Sequence, residues 1–267
     1  MSEQNSSPVL EVRNVSIAFE GNQVLDDVSF TLHHAETCCL LGPAGGGKSV
    51  LLKIINGLIK PDSGSIKVFG EEITTMSEEQ LFKMRRRVGM VFQESALFDS
   101  MNVEANVAYR LNEEGVPPAE AHTRVEEALN FVELGNAINK FPAELSGGMR
   151  RRVSIARAII TKPDLILYDS PTGGLDPITS TTIVELILKQ RDESHTAAVM
   201  ITHRLQDAFL LATHYWDVKT SSVQSIPDGG VDKSTKFLML NEGKVVFEGS
   251  TLELTHTEDP WLKNFLS

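Results

Sequence analysis

A glycine-rich segment, "GPAGGGKS", runs from Gly42 to Ser49 and consists of residue types that bind phosphate groups. It fits the pattern G-x-x-x-x-G-K-[S/T] and lies between a short apolar run and an amphipathic segment, the context in which this pattern is specific. Glycines allow backbone N–H groups to close around phosphates. Lys48 can reach the β- and γ-phosphates of a nucleotide, and the Ser49 hydroxyl can bind Mg²⁺. The predicted nucleotide-binding residues of this segment are Gly42, Pro43, Ala44, Gly45, Gly46, Gly47, Lys48, Ser49 and Val50.

A second segment, "LILYDSPT" from Leu165 to Thr172, places Asp169 at the end of an apolar run. A carboxylate at the end of a strand is the expected protein partner of Mg²⁺ in a phosphoryl-transfer site. The next position, where such a site would hold a second carboxylate, is Ser170. A serine hydroxyl cannot accept the proton of a water molecule near neutral pH, and loss of a general base typically slows a reaction about 10²–10⁴-fold. Phosphoryl transfer nevertheless depends chiefly on positioning and charge neutralisation.

Composition narrows the class of protein. The chain has 267 residues, 41% of them hydrophobic, which indicates a globular protein. Its net charge of −11 disfavours a broad surface for nucleic acid, and we predict no nucleic-acid partner. The start "MSEQNSSP" lacks the regions of a signal peptide, and no apolar run approaches the roughly 18 residues needed to span a bilayer. We therefore expect a soluble chain whose membrane role comes through a partner.

The two cysteines, Cys38 and Cys39, are adjacent in the apolar run "TCCLLG". Neighbouring residues on a strand point to opposite faces of a sheet, so this pair is unsuited to an ordinary structural disulfide. We expect two buried, reduced thiols in a cytosolic protein.

Hydrophobic periodicity predicts an α/β fold. Residues 9–19 and 24–32 alternate apolar and polar side chains, which is typical of antiparallel strands with one solvated face. The middle of the chain, at 100–112, 119–134 and 146–161, has helical spacing. Short apolar runs return later in "LILYD", "AAVMIT", "KFLMLN" and "KVVFEG". Helices inserted between strand-rich parts indicate an α/β core with a helical subdomain.

The segment "LSGGMRRRVSIARAI", Leu145 to Ile159, together with the phosphate-binding loop and "LILYD", resembles the signature motif of ATP-binding-cassette (ABC) ATPases. The resemblance extends along nearly the whole chain. It implies a P-loop nucleotide-binding domain with a RecA-like core, an antiparallel β-subdomain and an inserted α-helical subdomain. The implied division is one domain, with core residues 1–93 and 161–267 and a helical subdomain at 94–160.

The resemblance also implies roles for single residues. Phe19 matches the aromatic residue that stacks on adenine, and Gln93 matches the glutamine that contacts Mg²⁺ and senses the membrane partner. Asp176, in "GGLDP", matches the aspartate of the D-loop, and His203 matches the switch histidine. The implied catalytic residues are Lys48, Gln93, Asp169, Ser170 and His203, and the implied Mg²⁺ ligands are Ser49, Gln93 and Asp169.

A head-to-tail dimer is the assembly that the resemblance implies, with a homodimer favoured. Ser146, Gly147 and Gly148 of one subunit would meet the γ-phosphate of ATP bound to the other subunit. Such a grip needs the γ-phosphate, so ATP would close the dimer. We interpret the run Arg150–Arg152 as a solvated or dimer-facing start of the signature helix.

Within the family, "SALFDS", "GPAGGGKSVLLKIINGL" and "LDPIT" are most similar to the ATPases of Mla-type and Mce-associated lipid-trafficking systems. This similarity implies an ATPase at the cytoplasmic face of the inner (plasma) membrane, held there by a permease and acting indirectly with an Mce-domain protein that carries lipid.

Ser170, where the family usually has glutamate, leaves three interpretations open. In the first, the site hydrolyses ATP, and His203, Gln93 or the γ-phosphate orients or deprotonates the attacking water. Alternatively, the chain is a hydrolysis-impaired subunit paired with a different ABC ATPase. A third possibility is a slow ATP-dependent clamp or regulator.

Overall fold

The structure is a computed structural model that describes residues 7–266. The prediction about a signal peptide falls largely on residues 1–6, which lie outside the described residues. No helix within the described range is long and apolar enough to cross a membrane.

The described chain begins with three strands, contains three consecutive helices near its middle and has four consecutive strands before its last two helices. The strands are β1 (Leu10–Phe19), β2 (Asn22–Leu32), β3 (Thr37–Leu41), β4 (Ser63–Val68), β5 (Glu71–Glu72), β6 (Val88–Val91), β7 (Leu165–Asp169), β8 (Ala197–Ile201), β9 (His214–Asp217), β10 (Ser222–Ser225), β11 (Thr235–Asn241) and β12 (Lys244–Ser250). The α-helices are α1 (Lys48–Ile55), α2 (Glu78–Met84), α3 (Val103–Glu113), α4 (Pro118–Phe131), α5 (Gly147–Ile159), α6 (Pro177–Ser194), α7 (Leu205–Thr213), α8 (Thr251–Thr255) and α9 (Pro260–Leu266).

The central sheet has six strands in the order β12-β11-β3-β8-β7-β6. All neighbouring pairs are parallel except β11 and β12. Every residue of β3, β7 and β8 is buried, because helices cover one face of the sheet and helix α1 with the antiparallel strands covers the other. The parallel arrangement brings the carboxyl ends of these three strands to one edge, where the predicted site residues follow them.

A smaller antiparallel sheet has the order β2-β1-β4-β5. In β1, Leu10, Val12, Val15 and Ile17 are buried while Arg13 and Asn14 are exposed, which agrees with the predicted half-solvated strands. The hairpin of β1 and β2 turns at residues 20–21, so Phe19 pairs with Asn22 beside the turn. The predicted α/β fold with an antiparallel subdomain is confirmed.

The two cysteines occupy adjacent positions on β3 and belong to two different hydrophobic clusters, one on each face of the central sheet. Both are buried and unpaired, as expected. Burial raises the pKa of Cys39 to about 12 and raises that of Cys38 well above its ordinary value. These thiols are therefore inert packing groups.

Helices α3, α4 and α5 lie between β6 and β7 in sequence and pack on one another. The loop that leads into α3 is held by Asn106, a fully buried residue. Its amide accepts a hydrogen bond from the Phe98 N–H at 2.8 Å and donates to the carbonyl oxygens of Phe98, Met101 and Asn102, each at 3.0 Å. The division of the chain at residues 94 and 160 stays a prediction.

Candidate active site

The glycine-rich segment forms the connection from β3 to α1, as predicted. Gly42 has φ 137°, and a Cβ there would lie 2.1 Å from the carbonyl oxygen of Leu240 on β11. Gly47 has φ 85°, and a Cβ there would lie 2.6 Å from the carbonyl oxygen of Val24 on β2. Only glycine fits these two positions, because both combine a left-handed backbone with contact to another strand. The loop is thus fixed at both ends by the two sheets.

Lys48, the first residue of α1, is buried and folds back over this loop. Its Nζ donates hydrogen bonds to the carbonyl oxygens of Gly42, at 2.9 Å, and Pro43, at 2.6 Å. Burial lowers the pKa of Lys48, and the charge of Asp169 opposes that shift. The ammonium group therefore stands at the mouth of the loop, where a bound phosphate would lie.

Ser49 and Asp169 meet at the carboxyl edge of the sheet. The Ser49 Oγ donates to the Asp169 Oδ1 at 3.1 Å. Mg²⁺ in nucleotide sites takes oxygen ligands, usually one or two carboxylates together with substrate phosphates and water. A hydroxyl and a carboxylate side by side, next to a phosphate-binding loop, fit that ion. Among residues 7–266 no cluster of three or more His, Cys, Asp and Glu residues suits another metal.

Ser170 has an unusual backbone conformation, with φ 48°. Its N–H donates to the carbonyl oxygen of Ile201 at 3.1 Å, and its own carbonyl oxygen accepts from the Gly173 N–H at 2.9 Å. The residue is 3% exposed, and its Oγ is buried with no hydrogen-bond partner among the described residues. A buried polar group without a partner is uncommon in folded proteins.

His203 follows β8 at the same edge. Desolvation of the ring and the charge of Lys48 lower its pKa, while Asp169 and a hydrogen bond with the backbone of Gly42 raise it. The groups that influence His203 are therefore those of the phosphate-binding loop and the predicted Mg²⁺ ligand. The net shift favours the neutral imidazole, which can both accept and donate a hydrogen bond.

Gln93 and Phe19 lie at the periphery of this group. Gln93, two residues after β6, is exposed, and its Cγ would be 3.6 Å from a Cβ placed on Gly173. Its neighbour is thus the turn after Ser170, and no hydrogen bond joins it to Ser49 or Asp169 in the described part of the chain. Phe19 is 43% exposed, on the hairpin whose second strand contacts Gly47.

Ser146, in the signature segment, is the N-cap residue of helix α5. The Ser146 Oγ accepts a hydrogen bond from the Met149 N–H at 3.2 Å, and Gly147 and Gly148 form the first turn. A Cβ on Gly148 would lie 2.4 Å from the Thr179 Cγ2 on α6. No hydrogen bond of the described residues connects Ser146 or Gly148 with the phosphate-binding loop of the same chain.

Asp176 caps the next helix, α6. Its carboxylate accepts from the N–H of Thr179 at 3.0 Å and from the Thr179 hydroxyl at 2.6 Å. These hydrogen bonds lower the pKa of Asp176, which is exposed. The D-loop residue and the signature segment are thus neighbours through Thr179.

Arg151 corrects, for its own position, the interpretation of Arg150–Arg152 as a solvated or dimer-facing start of the signature helix. Its side chain is 4% exposed and donates to the carbonyl oxygens of Phe92, at 2.6 Å, and Gly173, at 3.3 Å. It thereby ties the signature helix to the Gln93 loop and to the turn after Ser170. The spacing of Arg151, Ile155 and Ile159 on one buried helix face was the signal for this position.

Comparisons with known proteins agree with this geometry. The family model described as "ABC transporter" matches residues 25–173. The chain is 36% identical over 265 residues to the intermembrane phospholipid transport system ATP-binding protein MlaF of Escherichia coli K12, which covers 99% of this chain and 90% of that protein. It is also 36% identical over 274 residues to the chloroplastic protein TRIGALACTOSYLDIACYLGLYCEROL 3 of Arabidopsis thaliana, covering 98% of this chain and 74% of that protein.

A solved structure of an ATP-binding cassette has the same fold as this chain. The dimeric ATP-binding cassette MJ0796, in a post-hydrolysis state bound to ADP and Pi, is 28% identical to the chain with a TM-score of 0.77. The match covers 90% of this chain and 98% of that one.

Proposed function

The chain belongs to the ABC transporter family, and we propose that it is the ATP-hydrolysing subunit of a membrane transporter that moves phospholipids or other hydrophobic compounds. The observation that carries the hydrolytic part is the convergence of Lys48, Ser49, Asp169 and His203 at one edge of the central sheet. The similarity along nearly the full length to MlaF, whose name specifies phospholipid transport, supports the cargo class.

Each element of the site has a role in this proposal. Residues 42–50 surround the phosphates with backbone N–H groups, and Lys48 exchanges its two carbonyl contacts for phosphate oxygens. Phe19 would stack on the base, and Ser49, Asp169 and Gln93 would hold Mg²⁺. When bound, Mg²⁺ neutralises charge on the phosphate oxygens during transfer. The core at 1–93 and 161–267 carries these residues, and the helical part at 94–160 carries the signature segment.

The complete site needs two subunits. Ser146, Gly147 and Gly148 lie at the N-terminus of α5, where free backbone N–H groups favour an anion. Within residues 7–266, no hydrogen bond joins them to the phosphate-binding loop of their own chain. We therefore place them, with Asp176, against the ATP of a second copy, as in a dimeric cassette.

Hydrolysis at this site proceeds by positioning rather than by a carboxylate base. The Ser170 hydroxyl lies inside the turn, so it does not replace a glutamate that reaches the γ-phosphate. The neutral His203 can accept a hydrogen bond from the attacking water, with Gln93 or the γ-phosphate taking part. Because phosphoryl transfer depends mostly on positioning and charge, such a site remains catalytic without a glutamate.

The partners follow from the cargo. We propose that a permease holds the chain at the cytoplasmic face of the inner membrane. An Mce-domain lipid carrier acts beyond the permease, and the chain binds no nucleic acid. The net charge of −11 agrees with the last point.

A lipid-transfer experiment tests the cargo. The chain is purified from native membranes with its bound permease, embedded in nanodiscs that contain fluorescent phospholipid, and incubated with ATP and unlabelled acceptor vesicles. We expect ATP-dependent movement of the phospholipid between nanodisc and vesicle, which Lys48→Ala abolishes. ATP hydrolysis without movement of lipid would overturn the cargo class. Co-purification of a different ABC ATPase with glutamate after its Mg²⁺-binding aspartate would instead support the impaired-subunit alternative.

A further inference from the structure

A buried carboxylate lies next to the site without belonging to it. Asp207, in the first turn of α7, is 4% exposed. Its Oδ2 accepts hydrogen bonds from the Thr172 hydroxyl at 2.5 Å and from the Thr202 hydroxyl at 3.4 Å. Its Oδ1 lies 3.3 Å from the Nε of Arg204.

The partners of Asp207 come from the two segments that carry the site. Thr172 is two residues after Ser170, in the turn that follows β7. Thr202 and Arg204 are the neighbours of His203 on either side. The Thr202 Oγ1 also accepts from the Arg204 N–H at 3.0 Å. One carboxylate therefore joins the Ser170 turn to both flanks of the switch histidine.

Arg204 extends this connection to a third segment. Its Nη1 donates to the Ser180 Oγ at 3.1 Å, and Ser180 is fully buried on α6, the helix that Asp176 caps. Residues 202–204, which include His203, are thus held between α6 and α7. Two side-chain contacts, Thr172 with Asp207 and Arg204 with Ser180, bracket the position of His203 along the edge of the sheet.

Burial of a carboxylate is costly unless polar groups compensate for the lost water. Here burial raises the pKa of Asp207, while the hydrogen bond from Thr172 and the charge of Arg204 lower it. A purely hydrophobic contact would join α7 to the Ser170 turn without the free-energy cost of removing a carboxylate from water. The carboxylate has instead a geometric property that an apolar contact lacks, since each of its hydrogen bonds fixes a direction and a distance.

We propose that Asp207 is a positioning residue that sets the place of His203 relative to Ser170 and Asp169 through its contacts with Thr172, Thr202 and Arg204. The inference rests on the proposed role of His203 in ATP hydrolysis. A site without a carboxylate base depends more on the placement of its remaining groups, and a displacement of about 1 Å can cost roughly 100-fold in rate.

The test uses Thr172, which lies outside the nucleotide-binding machinery. Thr172→Val keeps the shape of the side chain and removes the hydroxyl donor, whereas Thr172→Ser keeps the donor. We expect Thr172→Val to lower kcat for ATP hydrolysis about 10- to 100-fold, with KM and nucleotide affinity within about twofold of native. Thr172→Ser should restore most of kcat. Thr123→Val, an exposed threonine on α4, is the control for loss of a hydroxyl.

A double variant separates positioning from general damage. In a His203→Ala background, Thr172→Val should have no further effect on kcat, because the group that it displaces is gone. Independent, multiplicative losses would overturn the proposal, as would native kcat in Thr172→Val. If Thr172→Val fails to fold in a urea titration, Asp207→Asn replaces it in the same cycle. If the native protein does not hydrolyse ATP, the proposed function fails. If only the coupling to His203 is absent, this inference alone fails.

Discussion

The Ser49 hydroxyl lies 3.1 Å from a carboxylate oxygen of Asp169, although the two residues are 120 positions apart in sequence. Ser49 stands in the first turn of the helix that follows β3, and Asp169 is the last residue of β7. Strand β8 lies between β3 and β7, so parallel pairing alone brings the ends of these strands to one edge. We propose that this pair holds a nucleotide-bound Mg²⁺.

The first prediction concerns Lys48. Removing its ammonium group by Lys48→Met eliminates a charge-assisted contact to phosphate, which is worth about 1.5–3 kcal/mol. We expect ATP affinity, measured by titration with a fluorescent nucleotide analogue, to fall about 10- to 100-fold. Lys53→Met, on an exposed face of the same helix, should leave the affinity unchanged. Native affinity in Lys48→Met would contradict the assignment of the phosphate site.

The contact between Gly148 and Thr179 yields a stability prediction. The Cβ of Gly148→Ala would overlap the Thr179 Cγ2. Such overpacking lowers the free energy of unfolding by about 1–3 kcal/mol. Thr179→Ser removes that methyl group and retains the hydroxyl that binds Asp176. We expect Gly148→Ala to be destabilising in the native background and neutral or stabilising in the Thr179→Ser background, as measured by urea unfolding. Equal effects in both backgrounds would exclude the steric explanation.

Asn106 should be one of the most sensitive polar positions outside the site. Asn106→Ala removes four hydrogen bonds to the loop before α3, and we expect a loss of about 2–4 kcal/mol in unfolding free energy. Asn106→Asp should be at least as harmful, since an acidic side chain would face three carbonyl oxygens. Asn112→Ala, exposed on the same helix, is the matched control. A change below 0.5 kcal/mol, roughly the range of surface substitutions, would show that the loop needs no such anchor.

The lowered pKa of His203 predicts a pH dependence of stability. As pH falls below the ordinary histidine pKa of 6.5, the unfolded chain binds a proton that folded His203 does not. Stability from this residue is therefore present above pH 6.5 and is lost as pH falls through the lower folded-state pKa. Urea unfolding without nucleotide should show that the free energy of unfolding falls between the unfolded-state and folded-state pKa values. This fall should be smaller in His203→Gln. The control is His33→Gln, at an exposed position, which should show the same decline in unfolding free energy as the native chain. An equal decline in His203→Gln would refute the shift.

The sequence was sufficient to predict the fold class, the position of the glycine-rich segment between a strand and a helix, and the position of Asp169 at the end of a strand. Each of these depends on a local pattern. A glycine run between a strand and a helix, and an acidic residue after an apolar run, are visible within ten residues. The buried contacts of Arg151, Asn106 and Asp207 were not predicted. Their partners are backbone carbonyls or hydroxyls elsewhere in the fold. Helical spacing indicated that Arg151 is buried, but no short pattern identifies the partners of these three residues. The left-handed backbone of Ser170 was also missed, because serine has no marked preference for that conformation.

The most direct test of the account is steady-state ATP hydrolysis by the chain in complex with its permease. Native Ser170 is compared with Ser170→Glu, and Lys48→Ala serves as the blank. We predict that the native complex hydrolyses ATP well above the blank and that glutamate adds little, because His203 and the phosphate-binding loop supply the positioning. Native activity equal to the blank, restored by glutamate, would contradict the account and identify the site as an ATP-dependent clamp.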